Sequence, residues 1–94
     1  MNRRNNERDR RIEQRYPIGG RLTWNKPTSD RRRLGLLTDM SDSSVAFVTC
    51  EHRDVSVGDQ VNLSTAAEEG FPHRVARIAA YGDAERLVVC QRME

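Results

Sequence analysis

Residues 34–50 are LGLLTDMSDSSVAFVTC, in which two short apolar runs flank a polar turn. The runs, residues 34–38 and 45–50, combine leucine with β-branched and aromatic residues, a composition typical of β-strands. Residues 39–43 contain two aspartates and two serines, which favour turns because their side chains hydrogen-bond to nearby backbone. The segment therefore predicts two strands joined by a short connection.

Four more segments with strand character lie on either side of this pair. They are residues 21–24, 60–64, 73–80 and 86–91. The connectors are polar or contain glycine, and in residues 66–70 we expect one helical turn at most. Six short strands without a long helical pattern predict an all-β fold. Because a closed sheet leaves no unpaired edge, we expect a small six-stranded antiparallel β-barrel.

The composition is that of one small domain. Of the 94 residues, 36% are hydrophobic and 32% charged, which is polar but does not predict disorder throughout. No run approaches the roughly 18 apolar residues that cross a bilayer, and no apolar stretch follows the basic N-terminus, so we expect no signal peptide. The sequence predicts a cytoplasmic protein without membrane insertion, with Cys50 and Cys90 as reduced thiols in or near the core.

Positive charge is concentrated in the first third of the chain. Residues 1–33 carry ten arginines and one lysine against four acids, a net charge of +7, whereas residues 34–94 have a net charge of −5. Arginine grips phosphate through parallel N–H donors and stacks on flat rings. We therefore predict a flexible basic tail at residues 1–9, a domain at residues 10–94, and an Arg-rich N-terminal arm that meets an anion.

Two clusters of polar residues carry the predicted chemistry. In the first, Arg11 and Arg15 are four residues apart, with Arg10 beside them, in a stretch where we expect a turn of helix that lets two guanidiniums converge on one anion. In the second, Asp39 and Ser41 are two residues apart, so their side chains point the same way on extended backbone. Asp39 can accept from the N–H edge of a guanine, and Ser41 can donate to a phosphate oxygen.

Each cluster also has a simpler structural interpretation. Arg4 and Arg8 have the same spacing, so a pair of arginines four residues apart carries little information in this chain. An Asp-x-Ser turn most often only closes a hairpin. The occurrence of both clusters in this order, one before the first strand and one before the third, is a far more specific indication of a functional site than either cluster alone.

Together the clusters resemble the PilZ domain, whose pattern is R-x-x-x-R followed, before the third strand, by D/N-x-S-x-x-G. The resemblance covers roughly residues 10–93 and includes the segment VGDQVNL at residues 57–63 and the apolar strand at residues 74–78. It implies a six-stranded antiparallel barrel that binds the bacterial second messenger cyclic di-GMP. Such a domain is a signalling receptor that changes its contact with a downstream protein partner when the ligand binds.

The resemblance implies that arginines hold the ligand from two sides. Arg11 and Arg15, assisted by Arg10, would grip phosphates and stack on guanine. Arg77 lies where some family members have a stacking aromatic residue, and a guanidinium plane can take the place of that ring.

The second cluster would bind the ligand through oxygen atoms. The resemblance implies that Asp39 reads a guanine edge and that Ser41 meets phosphate or guanine. The final glycine of the family pattern is Ser44 here, preceded by Ser43, and the Ser44 hydroxyl is a further candidate ligand contact. A serine in a left-handed conformation would cost about 1–2 kcal/mol, whereas a serine on extended backbone would cost nothing.

Two alternatives keep the barrel and change its function. The serines in place of glycine also fit a divergent PilZ-like protein-interaction domain that has lost nucleotide binding. A basic arm on a small barrel fits RNA or single-stranded DNA as well. An aromatic content of 5% and the acidic second half of the chain disfavour nucleic acid.

The remaining distinctive residues have structural interpretations. Trp24 in the first strand is expected to pack on the barrel. The histidines His52 and His73 do not have metal-ligand spacing with the cysteines, so we expect no metal and no cofactor. No nucleophile–base order and no phosphate-binding glycine loop stands out, so the sequence predicts a binding protein and not an enzyme.

Overall fold

Six antiparallel strands form the protein, whose computed structural model describes residues 16–93. The strands are β1 (Tyr16–Asn25), β2 (Arg33–Met40), β3 (Ser44–Thr49), β4 (Gln60–Ser64), β5 (Phe71–Tyr81) and β6 (Glu85–Arg92). They pair in the order β1-β2-β3-β6-β5-β4 and close into a barrel, so the predicted six-stranded antiparallel β-barrel is confirmed. Residues 16–93 contain no helix, and hence no helical membrane span.

Strand β2 continues further than the sequence predicts. Asp39 and Met40, which their composition assigns to a turn, lie in β2, and the connection to β3 is reduced to residues 41–43. Asp39 pairs with Pro17 of β1 on one side and with Ala46 of β3 on the other. Because two neighbouring strands hold this backbone extended, the strand persists despite the low β-propensity of aspartate.

Strand β1 also exceeds its predicted bounds. It begins at Tyr16, whereas the sequence predicts a strand from Arg21. The register with β2 shifts between Pro17 and Gly20, and such a bulge absorbs residues that would otherwise interrupt the ladder.

The connector at residues 66–70 consists of bends and does not form the single helical turn that the sequence allows. Thr65 Oγ1 accepts hydrogen bonds from the backbone N–H groups of Ala67 at 3.1 Å and Glu68 at 3.3 Å. These hydrogen bonds are those of a Ser/Thr turn, and no helical turn follows them in residues 66–70. Gly70 closes the connector with a positive φ of 64°, a conformation that glycine adopts without strain.

The core consists of side chains from all six strands. Its members are Leu22, Trp24, Leu37, Val45, Phe47, Val61, Leu63, Val75, Val88 and Cys90. Trp24 is 1% exposed and its ring centroid lies 5.7 Å from that of Phe47, which confirms its predicted packing role. The Phe47 ring also lies directly against Gly35. A Cβ added at position 35 would be only 2.7 Å from Phe47 Cδ2.

A buried arginine ties β2 to the loop that follows β3. The guanidinium carbon of Arg33 lies 4.8 Å from the centroid of the Trp24 ring. Its Nη1 donates to the carbonyl oxygens of Glu51 and Arg53 and to Asp54 Oδ1. The hydrogen bond from Arg33 lowers the pKa of the Asp54 carboxyl. Arg33 lies in the polar connector that the sequence predicts between the strands at residues 21–24 and 34–38, but stacking and three acceptors allow its charge to be buried.

The two cysteines lie in different environments. Cys90 is fully buried, and burial raises the pKa of its thiol to about 12. Cys50 is exposed, so the predicted position in or near the core is wrong for this residue. Cys50 is the first residue after β3, so it lies outside the strand whose inward side chains form the core. Both thiols are free.

His73 is a buried titratable residue of β5. Its Nδ1 lies 2.9 Å from the Phe71 carbonyl oxygen, so Nδ1 carries the hydrogen and donates it. Within residues 16–93 the buried Nε2 has no hydrogen-bond partner. Burial lowers the pKa of this imidazole, because a charged ring would lose solvation without gaining an acceptor at Nε2.

We expect the free energy of unfolding to fall as the pH drops below roughly 6.5, the pKa of an unfolded histidine. In that range the unfolded chain binds a proton at His73 that the folded chain does not bind, so acid favours unfolding by up to roughly 1.4 kcal/mol per pH unit. Denaturant unfolding above and below this pH measures the effect. The His73→Leu variant should lose part of the pH dependence, whereas the control His52→Gln, at a more exposed histidine, should retain it. The same pH dependence in both variants would contradict the assignment.

Candidate functional site

An open groove of about 510 Å³ crosses the outer face of four strands, β2, β3, β6 and β5. It is lined by Thr38, Asp39, Ser44, Ala46, Ala76, Arg77, Leu87, Val89 and Gln91. The fold thus brings together Asp39, Ser44 and Arg77, three of the site residues that the sequence predicts. The volume lies in the range of roughly 300–1,000 Å³ that small-molecule sites occupy.

Asp39 and Arg77 lie at opposite ends of one row of residues across the sheet. Asp39 pairs with Ala46, Ala46 with Val89, and Val89 with Arg77. Three interstrand spacings separate the two charged residues, a path of about 14 Å along the sheet. The residues between them are apolar, so the groove has an apolar floor with a carboxylate at one end and a guanidinium at the other.

A β-bulge precedes each of these charged residues. The bulge in β2 inserts Thr38 just before Asp39, and the bulge in β5 inserts Ala76 just before Arg77. Thr38 Oγ1 donates a hydrogen bond to the carbonyl oxygen of Ala46 at 3.0 Å, which ties the bulged residue to the neighbouring strand. Bulges redirect side chains and are over-represented beside functional sites. The two bulges therefore determine the positions of the Asp39 and Arg77 side chains at the two ends of the groove.

Ser41 and Ser44 form the turn between β2 and β3. The Ser41 N–H donates to the Ser44 carbonyl oxygen at 2.8 Å, and the two hydroxyl oxygens lie 3.1 Å apart. Ser44 lines the groove, whereas Ser41 is 4% exposed and does not line it. The structure therefore places Ser44 where a ligand can reach it and buries Ser41 in the turn that supports it.

Ser43 and Ser44 have ordinary backbone conformations. Asp54 is the only non-glycine residue with a positive φ within residues 16–93. Neither serine is therefore held in the left-handed region that favours glycine. The departure from the glycine of the PilZ pattern costs no backbone strain.

The predicted arm residues Arg10, Arg11 and Arg15 lie outside the described part of the chain, as do the predicted tail and helical turn. The described chain begins one residue before Pro17, which pairs with Asp39. Strand β1 therefore starts beside the carboxylate end of the groove.

Strand β6 supplies groove residues that the sequence analysis did not identify. Leu87, Val89 and Gln91 alternate along this strand and line the groove. Their spacing of two marks one face of the predicted strand at residues 86–91, but a local pattern does not tell which face meets a ligand. Only the position of β6 between β3 and β5 makes these side chains part of the site.

The groove combines side chains that can bind a ligand made of a flat ring with N–H donors on one edge and an anionic group nearby. Asp39 offers two acceptor oxygens, Arg77 offers N–H donors, and Ser44 and Gln91 offer groups that can donate or accept.

Within residues 16–93, no group of three or more histidine, cysteine, aspartate or glutamate side chains is arranged to hold a metal ion. In comparisons with known proteins, neither a family model nor a curated protein matches this chain.

Proposed function

We propose that the protein is a PilZ-type receptor for cyclic di-GMP, a cytoplasmic signalling module without catalytic activity. The observation that best supports this function is the row across the groove, with Asp39 and Arg77 at the two ends of an apolar floor. Cyclic di-GMP contains flat guanine rings with N–H edges and two phosphates. These are the groups that a carboxylate and a set of guanidiniums recognise.

In this proposal Asp39 selects guanine. The guanine edge presents N1–H and N2–H side by side, and a carboxylate can accept from both with its two oxygens. Ser44, which lines the groove, donates to a phosphate oxygen or to the base, and Ser41 holds the turn through its contact with Ser44. Arg77 stacks its guanidinium on a base or pairs with phosphate.

Arg10, Arg11 and Arg15 supply the phosphate contacts in this proposal. Arg15 immediately precedes β1, the strand that starts beside Asp39. An arm attached at that point begins next to the groove, so in this proposal its guanidiniums bind the phosphates of the ligand in the groove. Ordering of the arm on binding would change the surface offered to a protein partner, which is how a domain without catalytic groups can transmit a signal.

Calorimetric titration of the full chain with cyclic di-GMP tests the proposed function. We expect saturable binding of cyclic di-GMP and much weaker binding of cyclic di-AMP, because adenine N1 is an acceptor and would face the acceptor oxygens of Asp39. GTP, with a single base, should also bind less tightly. Absence of heat and of NMR shift changes at high cyclic di-GMP concentration would contradict the proposal.

Alanine in place of Arg15 is expected to lower the affinity for cyclic di-GMP about tenfold or more, because each charge-assisted hydrogen bond contributes roughly 1.5–3 kcal/mol. Calorimetry on the variant measures the loss. Arg8→Ala is the matched control, since Arg8 and Arg4 have the same spacing as the arm pair but belong to the predicted tail. Unchanged affinity in Arg15→Ala would remove Arg15 from the site.

One observation favours a second function, a PilZ-like protein-interaction domain that has lost nucleotide binding. Leu34 and Leu36 are 55% and 52% exposed at successive outward positions of β2. Neighbouring exposed apolar side chains are a feature of protein contact surfaces. This second function predicts no binding of cyclic di-GMP, so the same titration distinguishes it from the first.

A further inference from the structure

A second open groove lies over strands β1 and β4, and none of its lining residues belongs to the first groove. Its volume is about 320 Å³, and its polar lining consists of Arg21, Thr23, Arg32, Ser64, Thr65 and Glu69. Thr23 and Ser64 are directly opposed across the β1–β4 pair. The barrel therefore places hydroxyls from two strands and guanidiniums from β1 and the loop before β2 around one opening.

The three hydroxyls of the second groove have protons available for a ligand. Ser64 Oγ accepts a hydrogen bond from the Gly70 N–H at 2.7 Å, and Thr65 Oγ1 accepts from two N–H groups of the turn that follows it. Thr23 Oγ1 lies 3.5 Å from its donor, Nη1 of Arg32. Within residues 16–93 each oxygen acts as an acceptor and none of the three hydroxyls donates. A hydroxyl whose oxygen is already occupied in this way presents its O–H to an incoming acceptor.

Two arginines add positive charge to these donors. The Arg21 side chain is exposed and forms no hydrogen bond or ion pair within the described part of the chain. Arg32 Nη2 lies 3.2 Å from Glu69 Oε2, and the Glu69 side chain is 78% exposed. Such an exposed pair is weak in water. Glu69 thus occupies the position on Arg32 that an anionic ligand would take.

We propose that the second groove binds a phosphoryl group, the terminal phosphate of a small phosphate monoester. The guanidinium groups of two arginines and three hydroxyls supply more hydrogen-bond donors than the two oxygens of a carboxylate can accept. The three terminal oxygens of a phosphate monoester can accept all of them. The site does not depend on the proposed cyclic di-GMP function, because the two grooves share no residue.

The test is an NMR titration of the ¹⁵N-labelled full chain with inorganic phosphate, with sodium acetate and sodium chloride at matched ionic strength as separate arms. We expect saturable shifts of the Thr23, Ser64 and Gly70 amides with phosphate, and weaker ones with acetate. Equal shifts with chloride would overturn the site. Equal affinity for acetate would overturn the assignment to a phosphoryl group.

Variants separate ligand binding from a purely structural role of these residues. Arg21→Gln should weaken phosphate binding about fivefold or more through loss of a charged fork, whereas Arg74→Gln, at an exposed arginine outside the groove, should not change it. Glu69→Gln should strengthen binding about two- to fivefold, the range of an exposed ion pair, because it removes the competing carboxylate from Arg32. Unchanged affinity in both Arg21→Gln and Glu69→Gln would overturn the proposal.

Discussion

Asparagine in place of Asp39 is expected to weaken cyclic di-GMP binding about a hundredfold. In the proposed complex the two carboxylate oxygens accept from N1–H and N2–H of one guanine, and hydrogen bonds to a charged group contribute roughly 1.5–3 kcal/mol each. The amide keeps one acceptor but turns an NH₂ group toward the second donor of the base. One hydrogen bond is lost, the charge assistance of the other disappears, and two donors face each other.

Calorimetric titration of Asp39→Asn measures this loss, and Asp42→Asn is its matched control. Asp42 is an exposed aspartate in the connection three residues further along, and it does not line the groove. The control removes the same charge from the same part of the surface, so a general electrostatic effect would weaken both variants alike. Thermal melts of both proteins establish that they are folded. Equal affinities in the two variants would eliminate Asp39 as the residue that reads guanine.

Alanine in place of Gly35 is expected to destabilise the barrel by about 1–3 kcal/mol, the usual cost of forcing an extra carbon into a packed core. The added Cβ would be 2.7 Å from Phe47 Cδ2 and 3.1 Å from Leu22 Cδ1. Phe47 is completely buried and packs against Trp24, so its ring has little room to move. Urea unfolding measures the change in the free energy of unfolding.

A second substitution tests the cause of this loss. In a Phe47→Leu background the side chain facing position 35 is smaller and not planar, so the same Gly35→Ala change should cost less than half as much, a non-additivity expected of residues in direct contact. Leu36→Ala, at the neighbouring exposed position of β2, should change stability by no more than about 0.5 kcal/mol. Strictly additive effects of the Gly35 and Phe47 substitutions would show that the phenyl ring is not what excludes a side chain at position 35.

The strands were predictable because alternation along a strand is a local property. Residues 60–64 were predicted as a strand with the bounds that β4 has in the structure, and the inward position of Trp24 follows from the same pattern. The predicted bounds of a strand were wrong where pairing with neighbouring strands outweighs the turn-favouring composition of its residues. Asp39 belongs to β2 because Pro17 and Ala46 flank it, and the sequence around Asp39 contains no information about that pairing.

The candidate site could be predicted only in part. Asp39, Ser44 and Arg77 were chosen from a motif, and the groove brings them together. The apolar floor between Asp39 and Arg77 was missed, because Ala46 and Val89 become neighbours only when β3 pairs with β6. The contribution of Arg15 and its neighbours stays a prediction, since these residues lie outside the described chain.

By itself, the sequence determined that the chain forms six strands, that their alternate residues face a common core, and that an acid–hydroxyl turn joins the second strand to the third. Only the tertiary structure decided that β6 lies between β3 and β5, that bulges precede Asp39 and Arg77, and that two separate grooves open on the outer surface. The reason is that strand order and bulge position depend on the register between segments far apart in the chain, and a local pattern of side chains does not specify that register.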